Sequence, residues 1–202
     1  MIWFKLKVRQ MSVRNLIEDR KRGNVTMMWV TGLPAFMIMF MFLASLAAAW
    51  MTHSTSQVAA DAGSLAVTKE LDRIVEEEMQ RKMNAIMEQN QGKNPGDPGY
   101  VDPYYAVLGT KQKRQRFMES VVWGHKSELA SAVGTYAKKN GGGKLSLIRM
   151  TVHGRIEVTI KTKFNSPIFK EDFKNIYVRG SGTGPKREYL SWVEDESIQV
   201  RF

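Results

Sequence analysis

Few side chains in this sequence are placed to do chemistry. The three histidines, His53, His125 and His153, are far apart, and none has the i, i+4 partner that holds a metal on a helix. His53 follows a long apolar run, where an imidazole at a water–lipid boundary is ordinary, and His125 falls in register with an apolar helical face as a boundary residue. There is no cysteine, so disulfides, thiolate metal sites and a cysteine nucleophile are excluded. The stretch GSGTGPK at 180–186 lacks the GxxxxGK[ST] spacing, and Arg187 stands where a phosphate loop needs Ser or Thr. With β-type sequence after it, it reads as a strand-to-strand loop. The acidic runs at 76–78 and 194–196 read as solvated faces, and Asp97 and Asp102 lack the regular carboxylate spacing of a calcium loop. The expectation is a protein that is not an enzyme and needs no metal or cofactor. One charged cluster remains: Lys111, Lys113, Arg114 and Arg116 open a predicted helix, at the end where the helix dipole disfavours cations. It reads as a solvated turn or as a patch for an anionic partner.

The elements that position these residues are dominated by 27–51, a run with no Asp, Glu, Lys, Arg or His. As a helix it extends roughly 37 Å, enough to cross a hydrocarbon core of about 30 Å with some tilt. Residues 1–26 carry seven Lys/Arg against Glu18 and Asp19, a net of +5 out of the total of +10, and no Lys or Arg occurs between Met51 and Lys69. This asymmetry puts 1–26 in the cytoplasm and the long C-terminal part outside. Half the excess charge thus sits before the span, which argues against nucleic acid as the reason for it. The run is longer than a cleaved signal's apolar region, although the alanines at 47–49 offer a cleavage pattern before Trp50. Met1 and Met11 are both candidate starts, and residues 1–12 read either as a basic tail or as a segment resting Trp3, Phe4 and Leu6 among lipid headgroups. Inside the run, Pro34 removes a backbone donor and crowds the carbonyl of Val30, predicting a kink beside Gly32.

Beyond the span the helix is predicted to continue over 52–90, because Val67, Leu71, Val75, Met79, Met83 and Ile86 recur every three or four residues. So long a rod needs a partner along its apolar stripe, in its own domain or in another chain. Residues 91–110 are rich in Pro and Gly and read as a loop. Residues 111–202 are expected to form an α+β head. A second helix covers 111–140, with Phe117, Val121, Leu129, Val133 and Tyr136 on one face. Strands follow at 145–152 and 155–164, a hairpin across His153 and Gly154 ended by Pro167, with further strands at 174–179, 188–193 and 197–202. The fold class is α+β: a transmembrane helix running into an amphipathic helix, a second helix and a small antiparallel sheet.

Three features in order carry a resemblance: Arg22 and Gly23 before the span, Pro34 eleven residues after Gly23, and QVAADAGSLA at 57–66. Together they resemble the N-terminal region of TadE/TadG-like proteins of tight-adherence (Flp, type IVb-like) pili, over about residues 20–70. The resemblance implies a pilin-like layout and a prepilin-type cleavage site between Gly23 and Asn24. Members that are cut carry Glu five residues after the glycine; Met28 stands there in this chain, which favours a retained anchor. The resulting expectation is a minor pseudopilin or membrane-anchored pilus-assembly component. Its partners would be membrane lipid and other pilin-like subunits, including copies of itself, or pilus-assembly membrane proteins. The rival expectations are a stand-alone membrane-tethered binding or sensing module, and a DNA-capturing pilin using Lys111, Lys113, Arg114 and Arg116.

Overall fold

From Ser56 onward one helical face is made first of small residues and then of large ones, and that order decides what packs on it. In the computed structural model, which describes residues 2–151, 153–166, 168, 171, 173–193 and 198–202, with side chains from Val25 onward, the first helix is continuous as α1 (Ile2–Gln89). It is followed by α2 (Pro103–Leu108), α3 (Lys111–Gly124), α4 (Lys126–Lys139), β1 (Lys144–Thr151), β2 (Arg155–Lys163), β3 (Tyr177–Thr183), a 3-10 turn (Glu188–Trp192) and β4 (Ile198–Arg201). The class is α+β, and the chain divides into two compact units, Met1–Ala47 and Ala48–Phe202.

The first unit is helical from Ile2, and among its described side chains the apolar surface is bare. From Val25 to Leu46, fifteen large apolar side chains are exposed, the least at 47% (Met41) and the most at 76% (Met28). Covering them is worth on the order of 20 kcal/mol at roughly 1.5 kcal/mol each. The helix is long and apolar enough to cross a membrane. The Thr31 hydroxyl donates to the Met27 carbonyl at 2.8 Å, within one turn of Pro34.

The second unit has one antiparallel sheet of order β3-β2-β1-β4. One face of the sheet buries Ile148, Met150, Ile156, Val158, Ile160 and Val200 in a core shared with Phe117, Met118, Val121, Leu129 and Val133 of the helices. The other face carries the cross-strand ion pair of Arg149 and Glu157, which are register partners. Helix α1 supplies Val67, Leu71, Ile74 and Val75 to the same core, with Met79, Met83 and Ile86 packed against it. The predicted apolar stripe therefore finds its partner within its own head.

The small half of the stripe meets β3. A Cβ on Gly180 would overlap the main chain of Ser56, one on Gly182 that of Ala60, and one on Gly184 the hydroxyl of Thr68. Four residues of helix rise about 6.0 Å and two residues of strand about 6.6 Å, so Ser56, Ala60 and Ser64 stay in step with Gly180, Gly182 and Gly184. Glycine in the strand removes the side-chain layer and lets the backbones approach.

Several expected elements differ. The loop 91–110 contains α2, started by Pro103 and capped by Asp102, whose carboxylate accepts from the Tyr105 N–H at 2.7 Å. The second helix is two: α3 ends at Gly124, and His125 leaves helical geometry (φ −112°, ψ 21°) before α4. The strand expected at 174–179 lies further along, at Tyr177–Thr183, so Gly180 and Gly182 are inside it rather than in a loop. The strand expected at 188–193 is a 3-10 turn, because β4 occupies the edge of β1 and Leu190 instead drops into the core. Val152, Pro167 and the acidic run 194–196 lie outside the described residues, as do the side chains of Trp3, Phe4 and Leu6.

Candidate functional site

The basic cluster at the start of α3 is held by the chain itself. The Thr110 hydroxyl caps α3 by accepting from the Lys113 N–H at 3.3 Å. The Lys113 ammonium donates to the Tyr105 carbonyl at 2.9 Å and lies 5.3 Å from the centre of that ring. Tyr105 is the third of the six residues of α2, and its carbonyl, which also accepts from the Gly109 N–H, takes this bond. Of the basic run, Lys113 is thus held by the neighbouring α2. Lys111 and Arg116 are exposed, and Arg114 is half-buried.

Lys113 and Arg116 also border a groove between α1, α2 and α3. Its floor is Ala85, Ile86, Val107 and Phe117, its rim adds Lys82, and its volume is about 370 Å³. The Lys82 ammonium lies 5.1 Å from the Phe117 ring centre. No carboxylate lines it. Sequence reasoning found Lys113 and Arg116 but missed Lys82. The signal was its place one turn before Ile86, on the flank of the α1 stripe.

Two ionic nodes fix α1 to the head. Asp72 accepts from Arg187 Nε at 2.8 Å and Nη2 at 2.8 Å, and from the Tyr189 hydroxyl at 2.7 Å. Partial burial raises the Asp72 carboxyl, but the hydrogen bonds from Arg187 and Tyr189 and the charge of Arg187 outweigh it and hold it below the ordinary carboxylate range. Burial pushes the Tyr189 hydroxyl up, and its bond to the Asp72 carboxylate adds to that. At the second node, Arg73 contacts Glu70, Glu77 and Glu128, the last across to α4 at 2.5 Å. His125 Nδ1 is 2.9 Å from Glu128 and its Nε2 is 3.5 Å from Glu78. Glu78 is lowered chiefly by its bond to Arg81, and Glu128 chiefly by its bond to His125. His125 is thus the hinge between α3 and α4, tied to both α4 and α1.

Gly23, Asn24, Gly32 and Pro34 all fall within α1. The side chain of Asn24 lies outside those described, and a Cβ on Gly32 would meet nothing within 4 Å. Asp97, one of the two carboxylates weighed for calcium, accepts from the Asn94 N–H at 2.6 Å and closes a turn. Among the described residues no group of three or more His, Asp or Glu side chains is arranged so that it could hold a metal ion. No protein-family model, no curated protein and no solved structure matches this chain.

Proposed function

We propose that the chain is a membrane-anchored, pilin-like assembly component of a tight-adherence (Flp) type pilus, tethered by 27–51 and selecting partners with its head. The observation that carries this reading is the division of α1: fifteen large apolar side chains bare from Val25 to Leu46, then a stripe covered by the chain's own head. That is the build of a tether bearing a folded module. The basic flank before the apolar run, the spacing from Gly23 to Pro34 and the small-residue stretch at 57–66 add the pilus to it. Assembly would then act through helix packing beside Gly32 and Pro34.

The native chain has no cysteine, so single cysteines report contacts cleanly. Gly32→Cys and Leu65→Cys, the latter at a site 60% exposed on α1, should form crosslinks to a second pilus subunit in cells making the pilus. If neither yields such a crosslink while the protein remains in the membrane, the tethered binding module is the correct reading. One observation favours that second reading: Gly180 and Gly182 already occupy the Ser56–Ala60 face, so that side of the small-residue stretch is spent inside the fold.

A further inference from the structure

The geometry points to the groove between α1, α2 and α3 as the head's docking site for an acidic amphipathic segment of a partner protein. Aliphatic side chains would seat on Ile86 and Val107, and carboxylates would meet Lys82, Lys113 and Arg116. The inference rests on the reading of the head as the partner-selecting part and adds the chemistry of what it selects.

Charge complementarity fixes the sign of the occupant. Three cations from two helices converge on one apolar floor, with no carboxylate in its lining. Two neighbouring arginines of α1 have acidic partners: Arg73 holds Glu70 and Glu77, and Arg81 holds Glu78. Lys82, one residue beyond Arg81, instead lies over Phe117. A cation stacked on a ring still presents its outer hydrogens to an anion. Lys113 spends one of its three donors on the Tyr105 carbonyl and keeps the others. An inorganic anion would use the rim and leave the floor wet, whereas an amphipathic segment uses both.

The floor argues against the other anionic macromolecules. Single-stranded nucleic acid gains its sequence-tolerant affinity by stacking bases on exposed rings; the ring in the groove's lining, Phe117, is only 2% exposed beneath Lys82, and the exposed Tyr105 ring beside the groove is taken by Lys113. A lipid headgroup, like an inorganic anion, would use the rim and leave the floor empty. In a second copy Glu70, Glu77, Glu78 and Glu128 would be taken up by their own intrachain ion pairs, which leaves that occupant to the self-association measurement below.

The test uses the full chain in nanodiscs of neutral phosphatidylcholine. The probe is a fluorescent helical peptide with Glu on one face and Leu on the other; its mirror carries Lys for Glu. The Glu–Leu peptide should bind, more weakly as salt rises, and the Lys–Leu peptide should not. Arg116→Glu and Ala85→Trp alter exposed positions, the first reversing a rim charge and the second filling the floor. Each should weaken binding about tenfold with the unfolding temperature unchanged. Loss in Arg116→Glu but not in Ala85→Trp would mean surface charge without a groove, and overturns the assignment. So would tighter binding of oligo-dT or of phosphatidylglycerol vesicles, which would make the patch a nucleic-acid or lipid site. Self-association abolished by Ala85→Trp would make the occupant a second copy and overturn it as well. A negative result here with positive crosslinks at Gly32→Cys would leave the pilus reading standing and remove only the groove.

Discussion

Replacing Gly182 by alanine is the sharpest perturbation of this fold, because the atoms it would meet cannot move aside alone. The new methyl group would overlap the carbonyl of Ala60 and the amide of Asp61, both main-chain atoms of α1. A flexible side chain would rotate away; a helix backbone moves only as a unit, and α1 is held by Asp72 on Arg187 and by Ser56, whose hydroxyl lies 3.3 Å from the Ile160 carbonyl. Overpacking of this kind costs about 1–3 kcal/mol, and a main-chain obstacle sets it near the upper figure. For a unit of 155 residues (48 to 202), roughly 3 kcal/mol lowers the melting temperature by about 6–12 °C. Near-ultraviolet circular dichroism of the full chain in detergent, with Trp192 packed against the core, follows the transition. Gly134→Ala is the matched control. It lies in α4 with nothing within 4 Å of its Cβ, so the substitution should stabilise by up to about 1 kcal/mol. An unchanged melting temperature for Gly182→Ala would refute the backbone-contact account. So would rescue of Gly182→Ala by Ala60→Gly, which removes a side chain but leaves the obstructing main chain in place.

The depressed carboxyls of Asp72, Glu78 and Glu128 set the acid limb of stability. Their folded values lie below the ordinary 3.8 for Asp and 4.5 for Glu, so the stability they contribute is complete above that range and is lost as pH falls through the folded values. Unfolding followed from about pH 7 to about pH 3 should show this loss, and Asp72→Asn should flatten it while lowering stability near neutrality by about 1 kcal/mol. A wild-type profile with no acid limb contradicts the assignment. On the proposed pilin-like reading, the N-terminal sequence of the mature protein should begin at Met1 or Met11, because Met28 stands where that resemblance would place the glutamate of processed members. Asn24 as first residue would show prepilin-type cleavage, and Trp50 secretion.

The sequence was most informative where one physical demand governs a whole stretch. Absence of charge over 27–51 announces an apolar helix, and the repeat from Val67 to Ile86 announces a buried face, because both patterns are written in side-chain polarity. Packing that depends on the absence of a side chain was harder to read. Gly180, Gly182 and Gly184 resemble a loop when propensity alone is considered, yet spacing by two matches the spacing by four of Ser56, Ala60 and Ser64 once rise per residue is taken into account. The 3-10 turn at Glu188–Trp192 had a convincing strand pattern, but β4 takes the edge of β1 and Leu190 is buried in the core. The break at His125 was concealed by an apolar face that continues through it; Gly124 was the local signal. At the groove, Lys113 and Arg116 were visible as a charge run. Lys82 joins them only through the tertiary packing of α1 against α3, which no local pattern encodes.

The central proposal is that 27–51 of α1 cross a membrane, with residues 1–26 in the cytoplasm and the residues after the span outside. Because the native chain has no cysteine, Ser12→Cys and Lys138→Cys mark the two ends without background. A membrane-impermeant maleimide applied to intact cells should label Lys138→Cys and should reach Ser12→Cys only after lysis, with both variants retained in membranes washed with alkaline carbonate. Labelling of Ser12→Cys in intact cells, or release of the protein by carbonate, would contradict it.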